Sequence, residues 1–382
     1  MPDTFLHGVQ IVEISDGKRP IKTVKSSVIG IIGTAPSCDP LKYPLNTPVL
    51  ITGVAPSSAD IGTTGSLPNA IDGILDQAGA LIVVVRVADS QTDATQIANL
   101  VGSAGNFTGV HAFKKAQSDL GVTPRILVAP EFTHKASILT ELLVIAGKLR
   151  AVVIADAGSS EATPSEAQAY AGDFGSDRLY CVYPYVKVSR AGVDVSEPAS
   201  SRVAGMIAKT DNEKGFWWSP SNQIIQGIVG VAHPIDFVLG ESTSLANVLN
   251  ENKVATIINI DGYRLWGNRT TASDEKWAFL QTRRTADIIN DSLLRSHLWC
   301  VDRNISKTYI SDVIGGVNSY LNLLVAQGAI LGGKCWADPE LNTGASLAQG
   351  KVYFSFDFCP PTPAENVTFR SLLNQDYLED VV

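Results

Sequence analysis

The first half of the chain alternates short apolar runs with amphipathic segments. Residues 81–85 and 126–128 are continuous apolar runs, which is typical of parallel strands that are covered on both faces. The pattern predicts strands at residues 28–32, 49–52, 81–87, 125–129, 151–155 and 179–188. It predicts helices between them at residues 69–77, 92–101, 134–148 and 165–174. This alternation indicates an α/β domain with a largely parallel sheet.

The second half has a different pattern, which begins with small residues at 197–201 that predict a linker. A long helix is predicted over residues 274–300, and a second helix runs from about residue 311 to Gly328. The first helix has an apolar face and a polar face. The apolar set is Ala278, Ala286, Ile289 and Leu293, and the polar set is Arg283, Arg284, Asp287, Asn290, Asp291 and Arg295. With the strands described next, these helices indicate an α+β C-terminal domain.

Strand patterns also lie near both ends of the chain. Phenylalanines at every second position predict a strand with one apolar face at residues 352–358, which prolines at 360–363 bring to an end. Two further short strands are predicted at 9–14 and 367–372. Their apolar members are Val9, Ile11, Val12, Ile14, Val367 and Phe369. Because Pro-containing segments separate both strands from their domains, each needs an edge to join, in its own chain or in another.

Residues 261–270 form the most distinctive block of the sequence. Two glycines, two aromatic residues and two arginines directly follow an apolar run at 254–260. The simplest interpretation is a hairpin with aromatic core anchors, and the leading alternative is an interface with another protein surface. Catalysis is disfavoured, because the block contains no Cys, His or Ser. Its candidate anchor and interface residues are Tyr263, Arg264, Trp266 and Arg269.

Composition narrows the class of protein. The chain has 382 residues, 45% hydrophobic and 18% charged, which is enough for two or three globular domains. The net charge of −8, with no basic stripe, argues against nucleic-acid binding. Five cysteines without a CxxC pair predict reduced, mostly buried thiols. No signal sequence or run of ~18 apolar residues is present, so we expect no membrane insertion.

Motifs for chemistry are weak throughout. Gly30 and Gly33 follow a strand, but the spacing is not that of a dinucleotide fingerprint, and Pro36 interrupts the helix that should follow. There is no P-loop motif and no GxSxG nucleophile elbow. The histidines have no HxxxH or HExxH spacing, and Asp72 with Asp76 is best interpreted as an exposed acidic pair. The sequence therefore predicts no catalytic residue, no metal site and no cofactor.

The arginines of the long helix allow two interpretations. Arg283 with Asp287, and Asp291 with Arg295, have the i,i+4 spacing of ion pairs within one helix. Arg284 has no acid at i+4. The alternative is that Arg283, Arg284 and Arg295 dock onto an acidic partner surface. Both interpretations stay open at this stage.

Taken together, several segments resemble one family, the tail sheath proteins of contractile-tailed bacteriophages and the related contractile bacteriocins. The matching segments are HGVQIVEI at 7–14, PLNTPVLIT at 44–52, KLRA at 148–151, DGYRLWGNRT at 261–270, RTA at 284–286, WCVDR at 299–303 and PTPAEN at 361–366. They occur in the family's order over nearly the whole chain. Residues 89–124 match only loosely.

The resemblance implies a structural protein of the virion, without catalysis, that is assembled in the host cytoplasm. Members of the family form stacked six-subunit rings around a tail tube, and the sheath contracts to drive the tube through the host envelope. The implied partners are further copies of the chain, the tail tube protein, and the baseplate and tail terminator proteins.

The resemblance also implies a division of the chain. Residues 1–24 and 364–382 would be arms that add strands to neighbouring subunits, 25–198 an outer α/β domain, and 199–363 an inner domain facing the tube. Arg283, Arg284 and Arg295 are then the tube-facing candidates. Two other functions are considered: an α/β enzyme that binds a nucleotide or cofactor through residues 27–188, which rests on fold class alone, and a non-contractile oligomeric shell.

Overall fold

The computed structural model describes residues 20–375, so the predicted strand at 9–14 lies outside the described residues. The strands are β1 (Ile29–Thr34), β2 (Pro48–Thr52), β3 (Leu81–Val87), β4 (Ile126–Val128), β5 (Val152–Asp156), β6 (Leu179–Val182), β7 (Val186–Arg190), β8 (Val193–Glu197), β9 (Gly230–Val231), β10 (Val254–Asn259), β11 (Tyr263–Trp266), β12 (Gly332–Ala337) and β13 (Phe354–Cys359).

Helices connect most of these strands. They are α1 (Ser58–Ile61), α2 (Leu67–Leu75), α3 (Asp93–Val101), α4 (Ala116–Leu120), α5 (Ala136–Leu149), α6 (Pro164–Gly172), α7 (Ala199–Glu213), α8 (Leu245–Glu251), α9 (Leu280–Ser296), α10 (Lys307–Ala326) and α11 (Gly344–Ala348). Short 3-10 helices occur at Gly109–Lys115, Glu275–Trp277 and Leu298–Cys300.

An eight-stranded sheet forms the centre of the fold, in the order β11-β10-β6-β5-β4-β1-β3-β2. The six strands from β10 to β3 in this order pair in parallel with one another. The outermost strands, β11 and β2, pair antiparallel with β10 and β3. The predicted α/β class with a largely parallel sheet is therefore confirmed. A smaller three-stranded sheet has the order β8-β7-β9, and a separate two-stranded sheet is made of β12 and β13.

Both faces of the central sheet are covered, which explains the continuous apolar runs of its strands. Ile31 of β1 belongs to a core that α2 and α7 close, whereas the next residue, Ile32, belongs to a second core that α5 and α6 close. Successive side chains of a strand point to opposite faces, so both positions must be apolar. The sheet is consequently buried from both sides.

The predicted linker at 197–201 is wrong. Ala199 begins α7, most of whose residues are buried, and its small residues allow close packing. Gly205 approaches α2 so closely that an added Cβ would lie 2.5 Å from the carbonyl oxygen of Ile74. Because β10 and β11 also extend the same sheet, the boundary expected at residue 198 falls inside one continuous core.

The C-terminal part has a core of its own, built from α9, α10 and the β12–β13 hairpin. Phe354, Phe356 and Phe358 of β13 pack against it, as their alternation predicts. The helix predicted over residues 274–300 is shorter, because 3-10 turns flank α9 on both sides. The next helix begins earlier than predicted, at Lys307, where the side chain of Ser306 accepts a hydrogen bond from the backbone N–H of Tyr309.

Both described chain ends belong to this C-terminal part. Near the N-terminal end, Ile21 packs into its core, and the backbone N–H of Val24 donates to the Ser292 hydroxyl of α9 at 3.0 Å. Residues 21–24, expected to be part of an arm, are thus attached to the subunit. At the other end, residues 360–375 form no helix or strand. The strand predicted at 367–372 does not form within this subunit, because no described segment pairs with it.

Candidate assembly interface

The block at 261–270 folds as the second half of the β10–β11 hairpin and the bend after it. The turn places Asp261 and Gly262 at φ 49° and 108°, a region that glycine adopts without steric cost. Leu265 is fully buried, and Tyr263 packs against the same core. The ring of Trp266, half-buried, meets that of Phe237 edge-on at 5.2 Å. The aromatic residues therefore contact their own subunit.

Arg264 and its neighbours close the outer edge of the central sheet. Its guanidinium donates to the carbonyl oxygens of Ile260 at 2.9 Å and Asn222 at 3.2 Å. The backbone of residues 222–225 pairs with β11 through hydrogen bonds to Leu265 and Tyr263. This edge is thus occupied by the chain itself and offers no free ladder to another strand.

Arg269 joins the block to the C-terminal segment. Its side chain donates to both carboxylate oxygens of Glu365, at 2.7 to 3.0 Å, and to Glu275 at 2.9 Å. The guanidinium also lies over the Phe279 ring, 5.1 Å from its centre. Hydrogen bonds to Glu365, above all other causes, raise the pKa of Arg269 further, so it stays charged. Arg269 therefore contacts its own subunit, across 96 residues of sequence.

Two buried carboxylates of α9 form the centre of a charged joint between the sheet and the C-terminal part. Asp287 accepts from Arg178 at 2.8 Å and from Arg283 at 3.0 Å, and Arg283 also reaches Asp177 at 3.1 Å. Asp291, one turn later, accepts from Arg295 at 2.8 Å. Both i,i+4 pairs considered from the sequence are present.

The Asp291 carboxylate has two further arginine partners, from the sheet. Arg125 donates a short hydrogen bond to it, and Arg150 lies 3.7 Å away. Burial lowers the pKa of Arg125, and the charge of Asp291 works against that shift. Since a buried carboxylate is tolerated only when it is paired, these contacts make the position of α9 on the sheet specific.

Sequence reasoning missed the sheet side of this joint. Arg125 and Arg178 come immediately before β4 and β6, and Arg150 comes two residues before β5; these three strands are adjacent and parallel. The amino ends of parallel strands lie at the same edge of a sheet, so the three cations are brought together there. The recurrence of arginine before an apolar run was the signal that could have found them.

Arg284 has an acidic partner that the sequence did not reveal. Its guanidinium donates to both oxygens of Asp211 on α7, at 2.6 and 2.7 Å, and to the carbonyl oxygen of Ser26. Only 4% of the Arg284 side chain is exposed, and 12% of Arg283. Arg284 is thus almost fully buried within its own subunit. Of the three candidates, Arg295 is the most exposed, at 43%.

An unfilled strand edge and an exposed apolar segment lie at the C-terminal end. In the described part of the chain, β12 and β13 pair only with each other, and no third strand joins them. The Asn318 side chain of α10 bonds the backbone of Cys335 and so covers β12 there, while β13 keeps its outer edge open. Beyond it, Val367 and Phe369 are exposed, Phe369 to 91%. The other predicted arm residues, Val9, Ile11, Val12 and Ile14, lie outside the described residues.

Metal-binding clusters and membrane-spanning helices are both absent from the described residues. Over residues 20–375, no group of three or more His, Cys, Asp or Glu side chains is placed to hold a metal ion. Within the same range, none of the helices has the length and apolar character needed to cross a membrane.

Family models match three consecutive regions of the chain. The model described as phage tail sheath protein central domain matches residues 81–271, and phage tail sheath C-terminal domain matches 272–373. A third model, described as the N-terminal region of tail sheath protein Gp18 domain III, matches residues 26–87. The chain belongs to the phage tail sheath family and is a structural subunit of a contractile tail sheath, a component of the virion. The recognition made from sequence motifs is confirmed.

Full-length relatives support this membership. A Pseudomonas aeruginosa (strain UCBPP-PA14) protein described as a prophage major tail sheath protein is 41% identical, and the match covers 99% of each chain. The tail sheath protein of Escherichia phage P2 is 35% identical over 99% of this chain and 98% of its own.

Solved sheath structures share the fold. The helical sheath of the anti-feeding prophage in its contracted state has a TM-score of 0.74 at 20% identity, covering 97% of this chain and 100% of that one. The contracted sheath complex of an extracellular contractile injection system, PVC, has a TM-score of 0.72 at 16% identity, covering 99% and 100%.

Proposed function

We propose that this subunit polymerises as stacked six-subunit rings around a tail tube and contracts to drive the tube through the host envelope during genome delivery. Assembly takes place in the host cytoplasm, and the baseplate and tail terminator proteins bind the two ends of the sheath. The observation that carries this proposal is the combination of an open β13 edge with an exposed apolar C-terminal segment in one subunit.

Strand addition between subunits explains both features. A strand such as 367–372 gains backbone hydrogen bonds only when it joins a sheet edge, and β13 offers one. A second copy of the chain is the natural donor, because the contact then repeats from one subunit to the next. A head-to-tail contact of this kind builds an open helical assembly if the rotation does not close. The N-terminal arm, with residues 9–14, would join neighbours in the same way.

The C-terminal part, from residue 272 on, is the part that we place against the tube. Both described chain ends attach to it, so arms that start there link inner parts of neighbouring subunits while the α/β part lies outside. Arg295, whose side chain is partly exposed at the end of α9, is the remaining candidate of the three arginines for contact with the tube protein.

Electron microscopy of the purified protein tests the proposal. The full chain, alone or with its tube protein, should form hollow tubes with sixfold symmetry in cross-section. With the tube protein, two geometries should be found, a long narrow state and a short wide one. A protein that stays monomeric at every concentration contradicts the proposal, and tubes with one invariant geometry support a non-contractile shell instead.

A further inference from the structure

A surface cavity of about 450 Å³ lies where three parts of the described subunit meet. Its walls come from residues 20–25, from the loop at 121–123 and from the end of α9. Among the described residues, no acidic side chain lines it, whereas four basic side chains do: Lys22, Lys25, Arg125 and Arg295. This basic cavity therefore favours an anion.

The N-terminal wall of the basic cavity is held in place by apolar and backbone contacts. Ile21 packs into the C-terminal core, and the backbone N–H of Val24 donates to the Ser292 hydroxyl of α9 at 3.0 Å. Lys22 and Lys25, next to these two anchored residues, are exposed. The two lysines are thus positioned at the cavity by their neighbours and keep their ammonium groups available to a ligand.

The inner wall carries more positive than negative charge. The Asp291 carboxylate is shared by three arginines: Arg125 donates a short hydrogen bond to it, Arg295 donates at 2.8 Å, and Arg150 lies 3.7 Å away. The Arg125 side chain is only 4% exposed, and its buried Nε has no hydrogen-bond partner in the part of the chain that the structure describes. One carboxylate for three guanidinium groups leaves positive charge that a further anion would balance.

The chain contains an acidic segment that matches this charge. Residues 376–380, with the sequence DYLED, have three carboxylates and no basic residue. They lie outside the described residues. Residues 1–19, which precede the cavity wall, have three acids but also two bases. Charge complementarity therefore favours the acidic segment over the N-terminal residues as the occupant of the basic cavity.

The C-terminal residues and the basic cavity are found at opposite ends of α9. Glu365 binds Arg269, whose guanidinium lies over Phe279 directly before the helix, whereas the cavity is lined by Arg295 and Ser296 at the end of the helix. A helix of 17 residues separates the two places by about 25 Å. A donor at one end of a subunit and an acceptor at the other can repeat head to tail from one copy to the next.

We propose that the basic cavity binds the acidic segment of a second copy of this chain. Lys22 and Lys25 form ion pairs with its carboxylates, and the arginines of the inner wall add positive charge behind them. The inference rests on the proposed function, to which it adds a charged contact between subunits. Each exposed ion pair contributes little, but several pairs at every subunit contact lower the protein concentration at which tubes form.

Charge reversal on each side tests the proposal. The cavity variant carries Lys22→Glu and Lys25→Glu, and the segment variant carries Asp376→Lys, Glu379→Lys and Asp380→Lys. Under conditions in which the wild-type chain forms tubes, each variant should need about tenfold more protein, as measured by sedimentation and negative-stain microscopy. The midpoint of urea unfolding of the cavity variant should not change, because both lysines are exposed. A chain with both sets of changes should recover most of the loss.

A mixture of the cavity variant and the segment variant shows which copy is bound. Each reversed cavity then meets reversed segments on other copies, and each normal cavity meets normal segments. Binding between copies therefore predicts tubes at close to the wild-type concentration. Binding within one copy leaves both mismatches in place, so a mixture that assembles as poorly as its two components would overturn the proposal.

Lys148→Glu with Lys187→Glu is the matched control, because it makes the same charge change at two exposed lysines that do not line the cavity. It should assemble like the wild type. An equal loss in this control, or a cavity variant that assembles like the wild type, would contradict the proposal. If the chain with both sets of changes recovered nothing, the cavity would bind another partner, such as the tube protein, and the proposal would be wrong. A wild-type chain that forms no tubes would instead contradict the proposed function itself.

Discussion

The central sheet and the β12–β13 hairpin differ in how far the subunit covers their edges. In the central sheet both faces are buried, and residues 222–225 occupy the edge of β11. In the hairpin, one face packs on α10, but the outer edge of β13 is open and the chain beyond it is exposed. Natural proteins usually protect such edges. The difference supports our proposal that the sheet stabilises the single subunit and that other subunits complete the C-terminal part.

The largest expected effect on stability lies in the α/β part, at Arg202. This side chain is fully buried in α7, where it donates to Glu197 and Asp76, each at 2.9 Å. Arg202→Met should lower the free energy of unfolding by about 3 kcal/mol, because it removes a fully buried cation that both Glu197 and Asp76 bind. Urea unfolding, measured below the concentration at which tubes form, checks this value.

Arg190 provides the matched control, because it binds the same carboxylate from a more exposed position. Its Nε lies 2.8 Å from Glu197, and 32% of its side chain is exposed. Arg190→Met should cost no more than about 1 kcal/mol. If the two variants were equally stable, the buried ion pairs of the α/β part would not carry the stability assigned to them.

A second, slightly smaller effect is expected at the joint between the two regions. Asp287→Asn removes the charge that Arg178 and Arg283 share and leaves two partly buried cations short of a partner, although Asp177 still binds Arg283. We expect a loss of about 2 kcal/mol and faster proteolysis near α9. A variant that unfolds like the wild type would show that the sheet and the C-terminal part are held together by apolar contacts alone.

A pH-dependent effect is expected at Asp156, at the end of β5. Its carboxylate accepts from the backbone N–H and the hydroxyl of Ser200 at the start of α7, and burial raises its pKa to about 6. Since the pKa of Asp156 is higher in the folded than in the unfolded protein, the free energy of unfolding falls as pH rises toward and through about 6. Relative to that of Asp156→Asn, the free energy of unfolding of the wild type should fall by about 1 kcal/mol between pH 5 and 7. A difference that does not change with pH would contradict the raised pKa.

The pattern of apolar residues along the chain predicted the parallel strands of the central sheet well. The runs at 81–87 and 126–128 became β3 and β4 because burial on both faces demands apolar residues at every position. The small residues at 197–201 led to the wrong prediction of a linker, because closely packed helices and linkers favour the same residue types. Tertiary contacts distinguish the two, such as that of Gly205 with α2, and they are made between distant parts of the chain.

The candidate site was predicted less well, for a related reason. Spacing within one helix revealed the partners of Arg283 and Arg295, but Asp211 lies 73 residues from Arg284, and Glu365 lies 96 residues from Arg269. No periodicity encodes such pairs; they depend on the fold that brings the elements together. The arm strands stay a prediction, because residues 9–14 lie outside the described residues and residues 367–372 form no strand within the subunit.

Truncation after Asn366 tests most directly the claim that the C-terminal part is completed by other subunits. This change keeps the Arg269–Glu365 pair and removes the exposed apolar segment. The truncated chain should unfold at the same urea concentration as the full chain, within about 0.5 kcal/mol, because residues 367–375 are exposed. It should sediment as a monomer where the full chain forms tubes. Tubes of normal length from the truncated chain, or a clear loss of subunit stability, would contradict the account.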